Sequence, residues 1–120
     1  MGQDHAVELA LMAPETARAV AATMQALATP SRVRILSRLA VGPCSVGGLA
    51  DHLQLEHSAV SQQLRLLRHL NLVVGERDGR RVVYALHDDH VGVLLAQAVS
   101  HAQHLRAGGP ASAPTDPVPA

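Results

Sequence analysis

"SVGGLADHLQLEHSAVSQQLRLLRHLNLVVGERDGRRVVYAL" occupies residues 45–86, and a change of period partway along it decides the fold. Its first portion, "SVGGLADHL", reads as a short helix beginning at Ser45, and "QLEH" follows as a brief turn. "SAVSQQLRLLRHLNL" is a longer helix, with Ser58 at its cap and Val60, Leu64 and Leu67 at three- and four-residue spacing on one face. Then the helical recurrence stops. "LVVGER" and "RRVVYALH" are β-type runs, and the Asp78-Gly79 dipeptide between them suits a tight hairpin turn. Two helices joined by a short turn and followed by a hairpin predict a winged helix-turn-helix.

Working outward, "TPSRVRILSRLAVGP" predicts a helix with Thr29 as N-cap and Pro30 at the first helical position. Its apolar stripe is Val33, Ile35, Leu36 and Leu39, and Gly42-Pro43 stops it. Before it, "PETARAVAATMQALA" starts at Pro14 and aligns Ala17, Val20, Ala21, Met24, Leu27 and Ala28 along one face. After the hairpin, "HDDHVGVLLAQAVSHAQH" (His87–His104) predicts a closing helix, with Asp88 or Asp89 near its cap and Gly108 beyond its end. The expected order is α-α-α-α-β-β-α, a mainly α (α+β) winged helix-turn-helix. Residues 1–13 are expected to form a flexible arm, 14–107 the folded domain, and 108–120, "GGPASAPTDPVPA", a disordered tail.

The chain has 120 residues, and the only aromatic one is Tyr84, so the core must be built from Leu, Val and Ala. One cysteine, Cys44, excludes an internal disulfide and fits a reducing compartment. No apolar run approaches a membrane span, and no basic-then-apolar leader is evident, so a soluble, cytoplasmic protein is expected. The formal net charge is zero, and every one of the 10 basic residues is arginine. Their placement therefore matters more than their sum. Between Gln62 and Arg81, five arginines (65, 68, 77, 80, 81) face two carboxylates, Glu76 and Asp78, a local excess of three positive charges. Ser58, Ser61, Gln62 and Arg65 share the side of the longer helix opposite its apolar face. Hydroxyl and amide groups can read base edges, and arginine can grip guanine or phosphate. Arg77, Arg80 and Arg81 supply positive charge around the hairpin tip. Any surface carries arginine for solubility; the agreement of helix-turn-helix spacing, polar face and basic hairpin is what points to double-stranded DNA.

The closing helix holds metal-binding side chains. His101 and His104 rise from one face. Asp88 and His90 precede His101 by more than ten residues, on the order of 16 to 20 Å along a helix. Metal–ligand bonds are about 2.0–2.2 Å long, so the two pairs cannot share an ion within one chain. Two copies of this helix, antiparallel and crossing near Ala96, bring them together twice, as a two-fold dimer requires. A stripe of Val91, Leu94, Leu95, Ala98 and Ala102 is expected to form the seam, with His90, His101 and His104 along its edge. His87 is expected at the surface or behind the ligands, Asp89 as a helix cap or dipole partner, and His52, His57 and His69 as ordinary polar residues.

"LATPSRVRILSRL", the 45–86 stretch and the closing histidine segment together resemble the ArsR/SmtB family of metal-responsive bacterial repressors, nearest in type to its mycobacterial nickel/cobalt sensors. The likeness covers about residues 15 to 106. It implies a homodimer through the terminal helices that releases operator DNA when metal binds. It also implies Asp88 and His90 from one subunit and His101 and His104 from the other as ligands. Gln62 stands where the family often has histidine, and it still reads base edges. The family's other metal site uses a cysteine pair; in "PCSVGGL" Cys44 is out of register and alone, so that site is expected to be absent. Resemblance favours Ni(II) or Co(II), with the Gly2 amine, Asp4 and His5 as possible extra ligands, although Arg106 replaces a further histidine of those sensors. Three imidazoles and one carboxylate also suit tetrahedral Zn(II). No nucleophile motif or general base stands out, so no enzyme is expected. A winged-helix regulator sensing something else, such as an oxidant at Cys44, is the alternative.

Overall fold

A computed structural model describes residues 9–108; the proposed arm ligands Gly2, Asp4 and His5, and the tail from residue 109, lie outside the described residues. The elements are α1 (Pro14–Ala26), α2 (Pro30–Val41), β1 (Cys44–Ser45), α3 (Val46–Leu53), α4 (His57–His69), β2 (Val73–Asp78), β3 (Arg81–Leu86) and α5 (Asp89–Arg106). This is the winged helix-turn-helix that the change of period predicts.

Short polar side chains start α2, α3 and α5, whereas α1 follows Ala13 with Pro14 at its first position. Thr29 Oγ1 accepts from the Arg32 N–H at 3.4 Å ahead of α2, and Ser45 Oγ accepts from the Gly48 N–H at 3.1 Å ahead of α3. Asp88 Oδ1 accepts from the His90 N–H at 2.9 Å ahead of α5, so Asp88 is the cap and Asp89 the first helical residue. Helix α4 differs from expectation. Glu56 is its N-cap and no side chain caps it, so α4 begins at His57 and Ser58 lies within its first turn. Between α3 and α4, Gln54 takes a left-handed conformation (φ 55°), which folds α4 back across α3.

The sheet has three strands, not two, in the order β1-β3-β2, all antiparallel. The added strand is Cys44–Ser45, pairing with Tyr84 and Val83; two residues are too few to show alternation, and only the partner makes them a strand. The hairpin register also differs by one residue. Asp78 pairs with Arg81, so the loop is Gly79-Arg80, with glycine (φ 69°) at its first position. That is the arrangement of a type II′ turn, which needs positive φ at that position alone.

Ile35, Leu36 and Leu39 from α2, Leu49 from α3, and Val60, Leu64 and Leu67 from α4 form the core under the sheet's Val73. Val91 and Leu95 of α5 join it, which corrects the expected seam: they pack inside their own protomer, while Ala98 and Ala102 remain exposed and Leu94 half-buried. In α1 only Ala26 is buried. Val20 and Met24 stay open to solvent.

Candidate DNA interface and metal-ligand helix

Burying Val60, Leu64 and Leu67 rotates the opposite face of α4 outward. Ser58, Gln62 and Arg65 are exposed, whereas Ser61 is half-buried and turns toward the wing. There it borders an open cleft of about 480 Å³ whose floor is the start of α3 and whose far wall carries Arg80, Arg81 and Tyr84. Gly75 lets Tyr84 stand there: a Cβ at Gly75 would come within 3.0 Å of the Tyr84 ring and 3.2 Å of Val82. Arg77, Arg80 and Arg81 are exposed on the hairpin. Arg81 approaches Asp78 at 3.8 Å with both side chains largely in water, an association too weak to withdraw it from a phosphate.

The arginines fall into two groups. Those of α2 are committed internally: Arg34 donates to the Leu53 carbonyl at 2.9 Å and Arg38 to the Gly42 carbonyl at 3.1 Å. Arg32 donates to Gln63 and to the Ala26 carbonyl. Among the described residues, Arg65, Arg68, Arg77 and Arg80 have no hydrogen bond or ion pair within the chain. Arg18 of α1 and Arg106 at the end of α5 likewise have none among the described residues, but the four on α4 and the hairpin are the ones that coincide with the local charge excess. Sequence alone did not single out Arg32, because an arginine next to a helix start carries no signal until the fold brings residue 63 beside it.

At the other end of the protomer, α5 displays the side chains expected from the sequence to hold a metal. Asp88 is shared between neighbours: Oδ2 lies 3.3 Å from His87 Nδ1, and Oδ1 lies 3.3 Å from His90 Nδ1. The His87 ring, then the His90 N–H, hold the Asp88 carboxyl below the usual carboxylate range. His90, His101 and His104 are exposed. Asp88 and His101 are separated by thirteen residues, about 20 Å at helical rise. Among the described residues, no three or more His, Cys, Asp or Glu side chains come together to hold an ion. Beside this helix runs an apolar trough of about 360 Å³, walled by Met24 of α1 and Leu27 just past its end, Val33 of α2 and Leu94, Ala98, Val99 and Ala102 of α5. Cys44 is buried on β1, an inert setting for a thiol.

Residues 29–74, from the cap of α2 into β2, match the bacterial regulatory protein, arsR family. The HTH-type transcriptional regulator NmtR of Mycobacterium tuberculosis is 54% identical over 94 residues, which cover 78% of this chain and 78% of that protein. The chain belongs to the ArsR family. The solution structure of apo-NmtR superposes with a TM-score of 0.70 at 49% identity, covering 91% of this chain and 87% of that one. The homodimeric winged helix-turn-helix DNA-binding domain Mb0332 of Mycobacterium bovis superposes with a TM-score of 0.70 at 28% identity, covering 81% of this chain and 93% of that one. As an ArsR-family member the chain is a transcriptional regulator, not an enzyme. Among the described residues no helix is long and apolar enough to cross a membrane.

Proposed function

We propose that this regulator is a repressor that binds double-stranded operator DNA as a homodimer and releases it when Ni(II) or Co(II) occupies sites shared between two α5 helices. One observation carries the reading: α5 presents two exposed donor pairs, Asp88 with His90 and His101 with His104, about 20 Å apart on one rigid element. Antiparallel packing of two α5 helices crossing near Ala96 sets Asp88 and His90 of one protomer beside His101 and His104 of the other. The exposed, apolar trough between α1 and α5 is the surface such packing would cover. Residues 14–107 are the folding unit in this reading, and Gly2, Asp4 and His5 of the arm are available to raise the coordination number.

The donor set fits the metal class. Imidazole nitrogen and carboxylate oxygen suit borderline divalent ions, and all three imidazoles are accessible. When bound, the ion supplies a fixed link between the two α5 helices. Val91 and Leu95 anchor each α5 in its own core. A changed crossing of the two helices is therefore passed to the body that carries α4. Ser58, Ser61, Gln62 and Arg65 meet the major groove, and Arg77, Arg80 and Arg81 hold phosphates beside it. Half-sites lie about one helical turn apart, so a modest change between the two α4 helices is costly, and DNA and metal must weaken each other equally. Zn(II) is the second reading, because three imidazoles and one carboxylate complete a tetrahedron without the arm.

The test is a DNA-binding titration at fixed salt with Ni(II), Co(II) and Zn(II) in turn, repeated on the His101→Ala/His104→Ala protein. Wild type is expected to release DNA with one ion at much lower concentration than the others, and the double variant to stay bound. Equal release from both proteins removes these histidines from the mechanism.

A further inference from the structure

Arg32 stands where three helices meet. Its guanidinium reaches two ways from the first turn of α2: one terminal nitrogen donates to the Ala26 carbonyl at the end of α1, 3.3 Å away, and Nε donates to Gln63 Oε1 on α4 at 2.8 Å. Both side chains are half-buried. Thr29 accepts from the Arg32 backbone N–H and so fixes the root of the side chain. Gln63 adjoins Gln62 on the recognition helix but points to the protein side of it. Ala26 closes the helix whose Met24, with Leu27 just past its end, walls the apolar trough.

Few other contacts restrain α1. Ala26 is its only buried residue, so the helix that borders the dimer surface is held to the protomer near one end. The Arg32 fork bonds that end directly to the recognition helix. A planar guanidinium holds two acceptors at a set angle, which a flexible ammonium cannot do.

We infer that Arg32 is a positioning residue for operator recognition: it locks α4 to the dimer-facing end of α1 through Gln63 and Ala26, and so sets how far apart the two recognition helices of a dimer stand. The inference rests on the homodimer reading above. It makes no use of the metal.

Spacing tolerance is the readout. Half-sites selected from random duplexes by the full wild-type chain are placed at the selected spacing, or one base pair closer or farther, and affinity is measured for each. Wild type is expected to prefer the selected spacing strongly. Gln63→Met keeps the charge and removes only the acceptor; it is expected to cut that preference by on the order of tenfold, the worth of one charge-assisted hydrogen bond. Affinity for unselected duplex should stay within about twofold of wild type, since the phosphate contacts remain. Arg32→Lys should behave likewise, and combining the two should add little, because both break one link. Gln63→Met with undiminished spacing preference overturns the lock, even if its melting temperature falls, because a merely structural role would leave the preference intact. A wild-type chain indifferent to spacing, or monomeric at assay concentrations, overturns the dimer reading and the lock with it.

Discussion

A carboxylate at position 88 does two things with one pair of oxygens. Oδ1 caps α5 by accepting from the His90 N–H, and both oxygens lie against imidazole nitrogens of His87 and His90. Its ionised form is favoured in the folded chain, first by His87 and then by the His90 N–H. A depressed carboxyl pKa contributes stability above the ordinary carboxylate range, and loses it as pH falls through the lowered folded value. The melting temperature of wild type is therefore expected to drop on acidification below about pH 4, while Asp88→Asn, which can still cap, should lose less over the same range. Thermal scans from pH 6 to pH 3 check this; parallel curves would show that Asp88 is not the titrating group. The same variant lacks the ionised carboxyl at every pH, so at neutral pH its melting temperature should start below wild type and the two should converge on acidification; if Asp88 is a ligand as proposed, metal affinity falls as well. That a helix starts at the Asp-Asp pair was legible in the sequence, since such a pair ahead of an apolar period marks a helix start, but not which of the two caps it: the sequence favoured Asp89, and the fold uses Asp88. The cap of α4 was not legible either. Ser58 looks like a cap, but the helix starts at His57, with Val60, Leu64 and Leu67 on its buried face, and Ser58 lies inside its first turn.

At the scale of elements, the proposed interface divides the work of holding DNA between α4 and the wing. Gln62 is exposed on the side of α4 opposite its buried face, and the uncommitted Arg80 stands on the hairpin tip. Gln62→Ala is expected to cost roughly 1–3 kcal/mol on the selected operator and to relax preference at one base position. Arg80→Ala should instead weaken selected and unselected duplexes alike and lower the slope of log affinity against log salt by about 1. Binding isotherms at several salt concentrations separate the two, and a sequence-dependent loss from Arg80→Ala would place it against a base. The helix also has to survive as an element. Leu64 is fully buried, so Leu64→Ala should destabilise the domain by about 2–5 kcal/mol in chemical denaturation. Helix periods this regular are read from sequence easily because burial repeats every turn. The strand at Cys44–Ser45 and the hairpin register could not be, since each depends on pairing with β3 and not on its own residues.

On the scale of the molecule, what one protomer leaves undone defines the assembly. Met24 and Val99 are 51% and 38% exposed although both wall the apolar trough, and Val93 and Leu105 of α5 are 61% and 64% exposed. That amount of apolar side chain on two adjacent helices marks a surface for another protein. Sequence periodicity showed that α5 has an apolar side but could not apportion it: Val91 and Leu95 turn inward because α2 lies beneath them, and that is settled by the fold. The remaining strip, around Ala98 and Ala102, lies on the same helix as both donor pairs. Ala98→Glu puts a charge into that strip without touching a core residue or any proposed ligand. The variant should keep the wild-type circular dichroism and melt cooperatively. If the strip is the seam, it should sediment as a monomer at concentrations where wild type is dimeric, and lose tight metal binding and selected-duplex affinity together. The three losses are linked by geometry, since each metal site and each paired half-site needs two copies. A monomeric Ala98→Glu protein that binds Ni(II), Co(II) or Zn(II) as tightly as wild type would place all the ligands on one chain, and the 20 Å between Asp88 and His101 along α5 would then require the helix to break.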